Sequence, residues 1–271
     1  MINQVATPAQ ALVDARRQAQ ALPAFPGDLP TTLDAAYALQ ADTIGKWGTD
    51  IAGWKVGRIT GEAKERLGRN RFIGPIFMET VAYATADTLT PFPAIRGGSA
   101  ALEAEIVAII GQDIPPLRSD WRTEDIKTVV SGLHIGIEVA GCAVPDVSAL
   151  GPLASIAAFG NNLALILGMS IEGWRDIDVD GIMCITTIDG HVAGSARAGN
   201  LPGGPFQAIA FALNQAAELC IGIPAGTLIS TGAITGVHSV EIGQRCLADF
   251  GPLGALNCEV VVASPFHPTV R

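Results

Sequence analysis

Apolar residues recur at helical spacing near the start of the chain. Thr7-Pro8-Ala9-Gln10 combines a capping hydroxyl, a first-turn proline and a capping-box glutamine, which together predict a helix that runs to about Ala21. A proline-rich linker separates this helix from a second one that ends at Gly48. The apolar positions of the second helix share one face, namely Leu33, Tyr37, Ile44 and Trp47.

The pattern changes to strands separated by turns after about residue 90. A short strand, Ile51 to Gly57, precedes this point, and a Pro- and Gly-rich segment around Pro91, Pro93 and Gly97 marks the boundary. The elements predicted beyond it are a strand at 101–110, a helix that begins at Thr123 and carries Ile126, Val129, Val130 and Leu133, a strand from His134 to Ala140 followed by a loop, a hairpin of 182–188 and 191–196 around Asp189-Gly190, a helix from Gly204 to about Cys220, and strands at 228–232 and 257–263. The predicted fold class is therefore α+β, with a small helical N-terminal region at 1–90 and a mainly β domain at 91–271.

The composition limits the classes of partner. Hydrophobic residues make up 49% of the 271 positions and charged residues 16%, with 31 glycines, which is typical of a compact, turn-rich protein. A net charge of −9 without any run of Lys or Arg argues against a nucleic-acid surface or an anionic-membrane surface, since both need basic patches. The longest uncharged stretch, 147–171, is interrupted by Gly151-Pro152 and is no membrane span. Low charge and high apolar content leave surface for subunit burial, so we expect a homo-oligomer.

Two further features favour a cytoplasmic protein. Residues Met1 to Pro8 have neither the basic segment nor the apolar stretch of a secretory signal. The five cysteines are odd in number, widely spaced and without a C-x-x-C pair, which indicates reduced, packed thiols rather than a disulfide framework.

Candidate chemistry begins with two glutamates inside the strand predicted at 101–110. Glu103 and Glu105 are the charged residues of a segment that is otherwise apolar. Side chains two positions apart leave the same face of a strand, so both carboxylates point together into apolar surroundings. An unpaired buried carboxylate is costly and two side by side repel each other, so a cation between them is expected. The alternative is that each glutamate pairs with an arginine or reaches solvent.

A third carboxylate, Glu138, lies in the apolar strand from His134 to Ala140, two positions after Gly136. Three carboxylates together with waters suit Mg²⁺ or Mn²⁺, which take oxygen ligands in octahedral geometry and leave positions for a substrate. Zinc prefers His or Cys, and neither lies near the glutamates at ligand spacing. The residues alone leave this metal site open beside the alternative of arginine partners or solvent, and a metal-binding catalytic domain at 91–271 follows only from the resemblance described below.

Lys55 ends an apolar strand and is the other unusual charge. It is either an exposed strand terminus or a residue of the metal site. In the second case its pKa would be lowered, and it could donate a proton or bind a substrate carboxylate.

Other catalytic patterns are missing, since the chain contains no Gly-x-Ser-x-Gly elbow and the segment 230–236 lacks the Gly-Lys ending of a phosphate loop. The hydroxyls of Ser230 and Thr231 are nevertheless candidates for lining a pocket.

Six short motifs occur in an order that resembles a known family. The chain resembles the 2-keto-4-pentenoate hydratase and 4-oxalocrotonate decarboxylase group of the fumarylacetoacetate hydrolase superfamily over nearly its whole length. The motifs are Gly53-Trp54-Lys55-Val56-Gly57, Gly74-Pro75-Ile76-Phe77, Glu103-Ala104-Glu105, Gly136-Ile137-Glu138, Gly160-Asn161-Asn162 and Ser230-Thr231-Gly232.

The resemblance implies a mainly β fumarylacetoacetate-hydrolase-like domain and a Mg²⁺ or Mn²⁺ cofactor. It implies that the metal is held by Glu103, Glu105 and Glu138 and chelates the 1-carboxylate and 2-oxo oxygens of a small 2-oxo acid substrate. It also implies catalytic roles for Lys55 and Glu79. The corresponding substrate-binding positions are Asn162, Thr231 and Gly232.

Two segments depart from the family's usual pattern. Ile76-Phe77-Met78-Glu79 stands where many hydratases have Leu-Phe-Asp-Asp, and Gly160-Asn161-Asn162-Leu163-Ala164 stands where they have Ala-Asp-Asn-Ala-Ser. Groups that orient the attacking water are thereby changed at Met78, Asn161 and Ala164.

Three activities follow from the resemblance. The first is a hydro-lyase that hydrates 2-hydroxy-2,4-dienoates in the catabolism of aromatic compounds. Its alternatives within the fold are a 4-oxalocrotonate-type decarboxylase and an acylpyruvate or fumarylacetoacetate-type C–C hydrolase. The changed positions also motivate a non-catalytic role, in which the chain associates with a related decarboxylase.

Overall fold

The computed structural model describes residues 6–266. Helices in this range are α1 (Pro8–Arg17), α2 (Leu33–Trp47), α3 (Gly61–Leu67), α4 (Thr123–Val129), α5 (Pro152–Ala157) and α6 (Gly204–Glu218). Strands are β1 (Ile51–Arg58), β2 (Arg71–Phe77), β3 (Val81–Tyr83), β4 (Leu89–Ala94), β5 (Ser99–Ile110), β6 (Val130–Cys142), β7 (Asn162–Ser170), β8 (Met183–Ile188), β9 (His191–Arg197), β10 (Leu228–Ser230), β11 (His238–Ser239), β12 (Arg245–Asp249) and β13 (Ala255–Val262). The predicted α+β, mainly β class is confirmed.

The larger sheet is curled around an interior. Its strand order is β2-β1-β10-β5-β6-β7-β3, and β11 pairs with β5. Strand β2 nevertheless packs against β7, four strands beyond its sheet neighbour β1. Beside this contact, Gly74 of β2 approaches Gly160 in the turn before β7, since a Cβ built on Gly74 would lie 2.5 Å from the Cα of Gly160. No larger residue fits at this close backbone approach, which brings the two ends of the sheet together.

Strands β5 and β6 are the buried centre of this sheet. They pair antiparallel, and residues 101–108 of β5 and 135–142 of β6 are all buried. Both faces of these strands are therefore covered, which explains their nearly continuous apolar sequence. Any charged side chain on them must find its partner inside the protein.

The second sheet has the order β4-β13-β12-β8-β9. Pro91 and Pro93 lie inside its edge strand β4, which pairs in parallel with β13. Proline is tolerated at an edge because one side of the strand has no neighbour that requires its N–H. The hairpin of β8 and β9 is confirmed, and its turn residues Asp189 and Gly190 have φ angles of 49° and 78°, as a D-G turn requires.

Several predicted boundaries were wrong. Helix α1 ends at Arg17 rather than near Ala21, because Ala19 has a left-handed φ of 51°. Helix α4 ends at Val129, since Val130 already begins β6 and pairs with Ile110 of β5. The region after Ala140, predicted as a loop, contains strand β7, which pairs with β6 and β3. Helix α2 and its end at Gly48, with φ 77°, are confirmed.

The segment 1–90 contains more than helices. Strands β1, β2 and β3 lie within it and belong to the same sheet as β5. The division into two domains at residue 90 remains a prediction. None of the helices in residues 6–266 has the length and apolar character required to cross a bilayer.

Candidate functional site

The three sequence-predicted glutamates meet on one face of the two central strands. Glu103 and Glu105 alternate on β5, and Glu138 of β6 is the direct antiparallel partner of Glu103. Side chains of directly opposite residues are close neighbours on the same face. One carboxylate oxygen from each glutamate lies within 4.8 Å of the others, and the three residues are 7%, 0% and 0% exposed. We call these three residues the carboxylate triad.

A glycine stands opposite the remaining glutamate. Gly136 is the partner of Glu105, and a Cβ at this position would lie 2.6 Å from Cγ2 of Val107. Glycine is therefore required because the Val107 side chain occupies the space beside it. This contact explains the glycine found two positions before Glu138 in the sequence.

In both Glu105 and Glu138, one carboxylate oxygen accepts hydrogen bonds from the described residues and the other does not. Oε2 of Glu105 accepts hydrogen bonds from the Ser230 hydroxyl and from the Gly232 N–H at 2.8 Å. Oε1 of Glu138 accepts from Nζ of Lys55 at 3.0 Å and from Nδ2 of Asn162 at 3.1 Å.

The second oxygens, Oε1 of Glu105 and Oε2 of Glu138, are buried and have no hydrogen-bond partner within residues 6–266. Leaving a buried acceptor unpaired is costly, and more so for a charged group. A divalent cation between the three side chains would satisfy both oxygens. Carboxylate oxygens are the ligands that Mg²⁺, Mn²⁺ and Ca²⁺ accept, so the donor set fits such an ion.

Burial and mutual repulsion favour the protonated forms of Glu103 and Glu105. Burial, opposed by Lys55 and assisted by Glu138, raises the pKa of Glu103 to about 7. Burial and the neighbouring Glu138 and Glu103 raise the pKa of Glu105 well above its usual range. Without a compensating divalent cation, these two glutamates therefore retain protons near neutral pH.

Lys55 is the positive group of this cluster. It lies on β1, is 3% exposed, and reaches Glu138 across the interior because the sheet is curled. Burial alone would lower the pKa of Lys55, but the three carboxylates outweigh burial and raise it above the ordinary lysine value. In the metal-free cluster the direction is thus the reverse of the lowered pKa expected for Lys55 beside a bound metal, and that expectation remains a prediction. The ammonium also lies 5.5 Å from the ring centroid of Phe72.

A cavity of about 570 Å³ lies beside the triad, and Glu103 forms part of its wall. Lys55, Gly232 and Phe72 also line it. The half-buried Asn161 lines both this cavity and a neighbouring one of about 760 Å³. Such volumes accommodate small molecules, and the combination of a few polar groups with apolar walls is typical of substrate sites.

Of the three predicted substrate-binding residues, Gly232 lines the cavity and the other two do not. The contact of Gly232 with a substrate remains a prediction. The Thr231 hydroxyl instead donates to the backbone carbonyl of Ile106 at 2.8 Å, which ties β5 to the segment after β10. Asn162 is fully buried behind Glu138 and donates to its carboxylate. Its neighbour Asn161, noted from the sequence as a changed position, is the one that lines the cavity.

Glu79 is separated from the cluster. Its carboxylate accepts hydrogen bonds from Nε1 of Trp47 at 2.6 Å and from the Thr49 hydroxyl at 2.8 Å. It lines a different cavity, of about 400 Å³, which it shares with Arg16. The geometry therefore does not support the predicted catalytic role of Glu79, because a catalytic acid must lie within reach of the substrate.

Sequence reasoning missed two groups around the site. Ser230 was noted only as a possible lining hydroxyl, although it alternates with Gly232 at the end of a strand and donates to Glu105. Arg16 falls at an apolar position of helix α1, on the face of Leu12 and Val13. A charge at an apolar position is the signal that singled out the glutamates, and it applied to this arginine as well.

Metal binding is expected to release protons and to strengthen as the pH rises through about 7. Because the pKa of Glu103 is about 7 and that of Glu105 is also raised, an incoming cation must displace protons at acidic pH. Raising the pH removes these protons beforehand, so the apparent affinity increases. Calorimetric titration with Mn²⁺ at about pH 6 and about pH 8, in buffers of different ionisation enthalpy, measures both effects. An affinity that is independent of pH over this range would contradict the protonated triad.

The chain is similar in sequence or in structure to several known proteins. A 2-keto-4-pentenoate hydratase of Paraburkholderia phymatum is 22% identical over 225 residues, covering 82% of this chain and 84% of the relative. The structure of 4-oxalocrotonate decarboxylase from Pseudomonas putida G7, complexed with magnesium and adipate, is similar with a TM-score of 0.80 at 19% identity, covering 96% of this chain and 100% of that chain. Fumarylpyruvate hydrolase from Pseudomonas aeruginosa, in complex with Mn²⁺ and pyruvate, gives a TM-score of 0.57 at 19% identity, covering 79% and 90% of the two chains.

The structural likenesses establish the fold. The family model described as fumarylacetoacetate (FAA) hydrolase C-terminal matches residues 62–261, a range that includes all three glutamates of the triad. The chain therefore belongs to the fumarylacetoacetate hydrolase family.

Proposed function

We propose that this protein is a divalent-metal-dependent hydro-lyase that adds water to a 2-hydroxy-2,4-dienoate, the tautomer of a 2-keto-4-pentenoate-type acid. The observation that carries the proposal is the pair of unpartnered buried oxygens on Glu105 and Glu138, in the same triad as Glu103, which lines a cavity together with Lys55. Family membership and the 2-keto-4-pentenoate hydratase relative support the choice of reaction.

Glu103, Glu105 and Glu138 would hold the metal. When bound, Mg²⁺ or Mn²⁺ supplies Lewis-acid stabilisation of negative charge that develops on the oxygens of a 2-oxo acid. The Ser230 hydroxyl and the Gly232 N–H fix the orientation of Glu105 by holding its other oxygen. Orientation of a ligand by a second hydrogen-bonded group is the usual arrangement around protein metal sites.

Lys55 is proposed to carry the proton. Its ammonium lies 3.0 Å from Glu138 at the inner end of the cavity, beside the position that the substrate would take. Hydration places a proton and a hydroxyl on two carbons of the same chain, so a positioned acid beside the substrate is needed. The Phe72 ring, which also lines the cavity, keeps this end apolar and limits the access of bulk water.

A decarboxylase acting on 4-oxalocrotonate is the second candidate. The structural match to 4-oxalocrotonate decarboxylase covers 96% of this chain, more than the hydrolase match does. Hydration and decarboxylation need the same hold on the 2-oxo acid end of the substrate. They differ in what happens at the far end of the carbon chain, where Asn161 lines the cavity.

Identification of the product is expected to decide between these reactions. The purified protein with Mg²⁺ is incubated separately with a 2-hydroxy-2,4-dienoate, 4-oxalocrotonate and an acylpyruvate, and products are identified by NMR. We expect a hydroxylated keto acid from the first and loss of turnover on adding a chelator. Release of CO₂ from the second would favour the decarboxylase, and pyruvate plus an acid from the third would favour the C–C hydrolase.

If none of the three substrates is turned over, the enzymatic proposal for these substrates is wrong. The non-catalytic partner of a related decarboxylase then becomes the leading alternative. Titration with Mn²⁺ separates these cases further, because a protein that acts only as a partner has no need of a functional metal site.

A further inference from the structure

Arg16 carries a buried guanidinium that makes no salt bridge within residues 6–266, although the Glu79 carboxylate is near enough to oppose the lowering of its pKa by burial. It lies on helix α1 and is 5% exposed. Three aromatic rings surround it, with centroids 4.9 Å (Trp47), 5.2 Å (Phe77) and 4.7 Å (Phe159) from its central carbon. Cation–π contacts of this kind compensate part of the loss of hydration. A charge held in this way needs an explanation beyond packing.

The hydrogen bonds of Arg16 lead to the first residues of β7. Nη1 donates to the carbonyl of Asn162 at 2.6 Å, and Nη2 donates to the carbonyl of Leu163 at 3.0 Å. The side chain of Asn162 in turn donates to Glu138. Two consecutive carbonyls bound by one planar guanidinium fix both the position and the orientation of this backbone.

The backbone before Asn162 is strained. Phe159, Gly160 and Asn161 have φ angles of 57°, 66° and 56°, so three successive residues are left-handed. Glycine and asparagine tolerate this conformation, but the bulky Phe159 adopts it only when its surroundings enforce it. Arg16 contacts the segment on both sides, through the Phe159 ring before it and through the two carbonyls after it.

We propose that Arg16 is a positioning residue of the metal site, which holds Asn162 against Glu138 and thereby fixes the Glu138 carboxylate in the triad. The inference rests on the proposed function, since it assumes that Glu138 binds the metal. It assigns to the N-terminal helix a role in the site, although Arg16 is not among the residues that line the triad's cavity.

The adjacent arginine provides a matched control. Arg17 lies on the same helix, and its Nη2 also donates to two successive carbonyls, those of Lys46 at 2.9 Å and Trp47 at 2.8 Å. It also lies over the Trp47 ring, at 5.7 Å. Arg17 thus makes the same kinds of contact, but with the end of helix α2 instead of with β7.

The experiment compares Arg16→Lys with Arg17→Lys in the full chain. Lysine keeps the charge but cannot bind two carbonyls in the planar geometry of arginine. We expect Arg16→Lys to weaken Mn²⁺ binding about 10- to 100-fold by calorimetry, as changes to residues that orient ligands do. Arg17→Lys should leave the Mn²⁺ affinity unchanged, while both variants lower the melting temperature.

A second comparison separates positioning from general destabilisation. In the background Asn162→Ala, which keeps the carbonyl but removes the contact with Glu138, Arg16→Lys should weaken Mn²⁺ binding no further. If lysine at this position prevents folding, Arg16→Gln removes the buried charge, keeps a donor and carries the same expectation.

Two results would overturn the inference. One is an Arg16→Lys variant that binds Mn²⁺ as tightly as the wild type, and the other is a loss that persists in full in the Asn162→Ala background. If the wild-type protein itself binds no Mn²⁺, the failure lies with the proposed function, and the two outcomes are thereby distinguished.

Discussion

Replacing Glu105 by alanine is expected to lower the affinity for Mn²⁺ by more than about 100-fold and to abolish metal-dependent turnover, since even changes to residues that only orient a ligand cost 10- to 100-fold. Glu105 offers one free oxygen to the site while Ser230 and Gly232 hold the other. Its removal takes away a ligand and leaves two donors without their acceptor. Calorimetry with Mn²⁺ and turnover at saturating Mg²⁺ measure the two effects.

Two further variants give this prediction its controls. Glu105→Gln keeps an acceptor for Ser230 and Gly232 but loses the negative charge, so it should bind Mn²⁺ far more weakly than wild type while keeping its folded structure. Glu241→Ala removes an exposed carboxylate that lines the neighbouring cavity and should not change metal binding. A Glu105→Ala variant with wild-type Mn²⁺ affinity would show that the ligand assignment is wrong.

Substitution of Lys55 by methionine is expected to lower kcat by about 10²- to 10⁴-fold, the range associated with a lost general acid or base. The affinity for Mn²⁺, in contrast to kcat, should not fall. Lys55 and a divalent cation compete for the carboxylates that surround them, so the variant should bind Mn²⁺ at least as tightly as wild type. Steady-state kinetics and Mn²⁺ calorimetry on the same preparation test both halves of the expectation.

The same substitution should destabilise the metal-free protein. Removing one partner of a buried ion pair costs about 3–5 kcal/mol, because the other charge is left uncompensated. Added Mn²⁺ should restore most of this loss, as thermal unfolding with and without metal would reveal. Lys46→Met, at a partly exposed lysine paired with Asp42, is the control, for which we expect little change. Normal kcat in Lys55→Met would exclude Lys55 as the proton carrier.

The carboxylate triad was predictable from the sequence because its members violate a local pattern. Glu103 and Glu105 interrupt an apolar strand at alternate positions, and Glu138 interrupts another, so their burial and common face follow from the geometry of a strand. That Glu138 is the direct partner of Glu103 depends on the register of β5 and β6, which no short-range pattern contains. The family resemblance supplied that link.

Other features could not be predicted from the sequence, because they depend on contacts between segments that are distant in the chain. Strand β7 follows the left-handed turn at 159–161, whose glycine and asparagine indicate a loop when considered alone. Helix α4 was predicted too long because Val130 and Leu133 continue its apolar spacing, yet pairing with β5 draws them into a strand. Glu79 matched a family position in the sequence, but its contacts with Trp47 and Thr49 separate it from the triad.

The contact between Gly74 and Gly160 has a consequence for engineering this protein. The two backbones are in direct contact because neither residue has a side chain. No substitution at this point can therefore widen the interior of the curled sheet. A larger substrate cannot be accommodated by trimming residues there. Libraries aimed at new substrates should keep both glycines and diversify the mouth of the cavity, where exposed residues such as Ser148 and Val237 impose no such restriction.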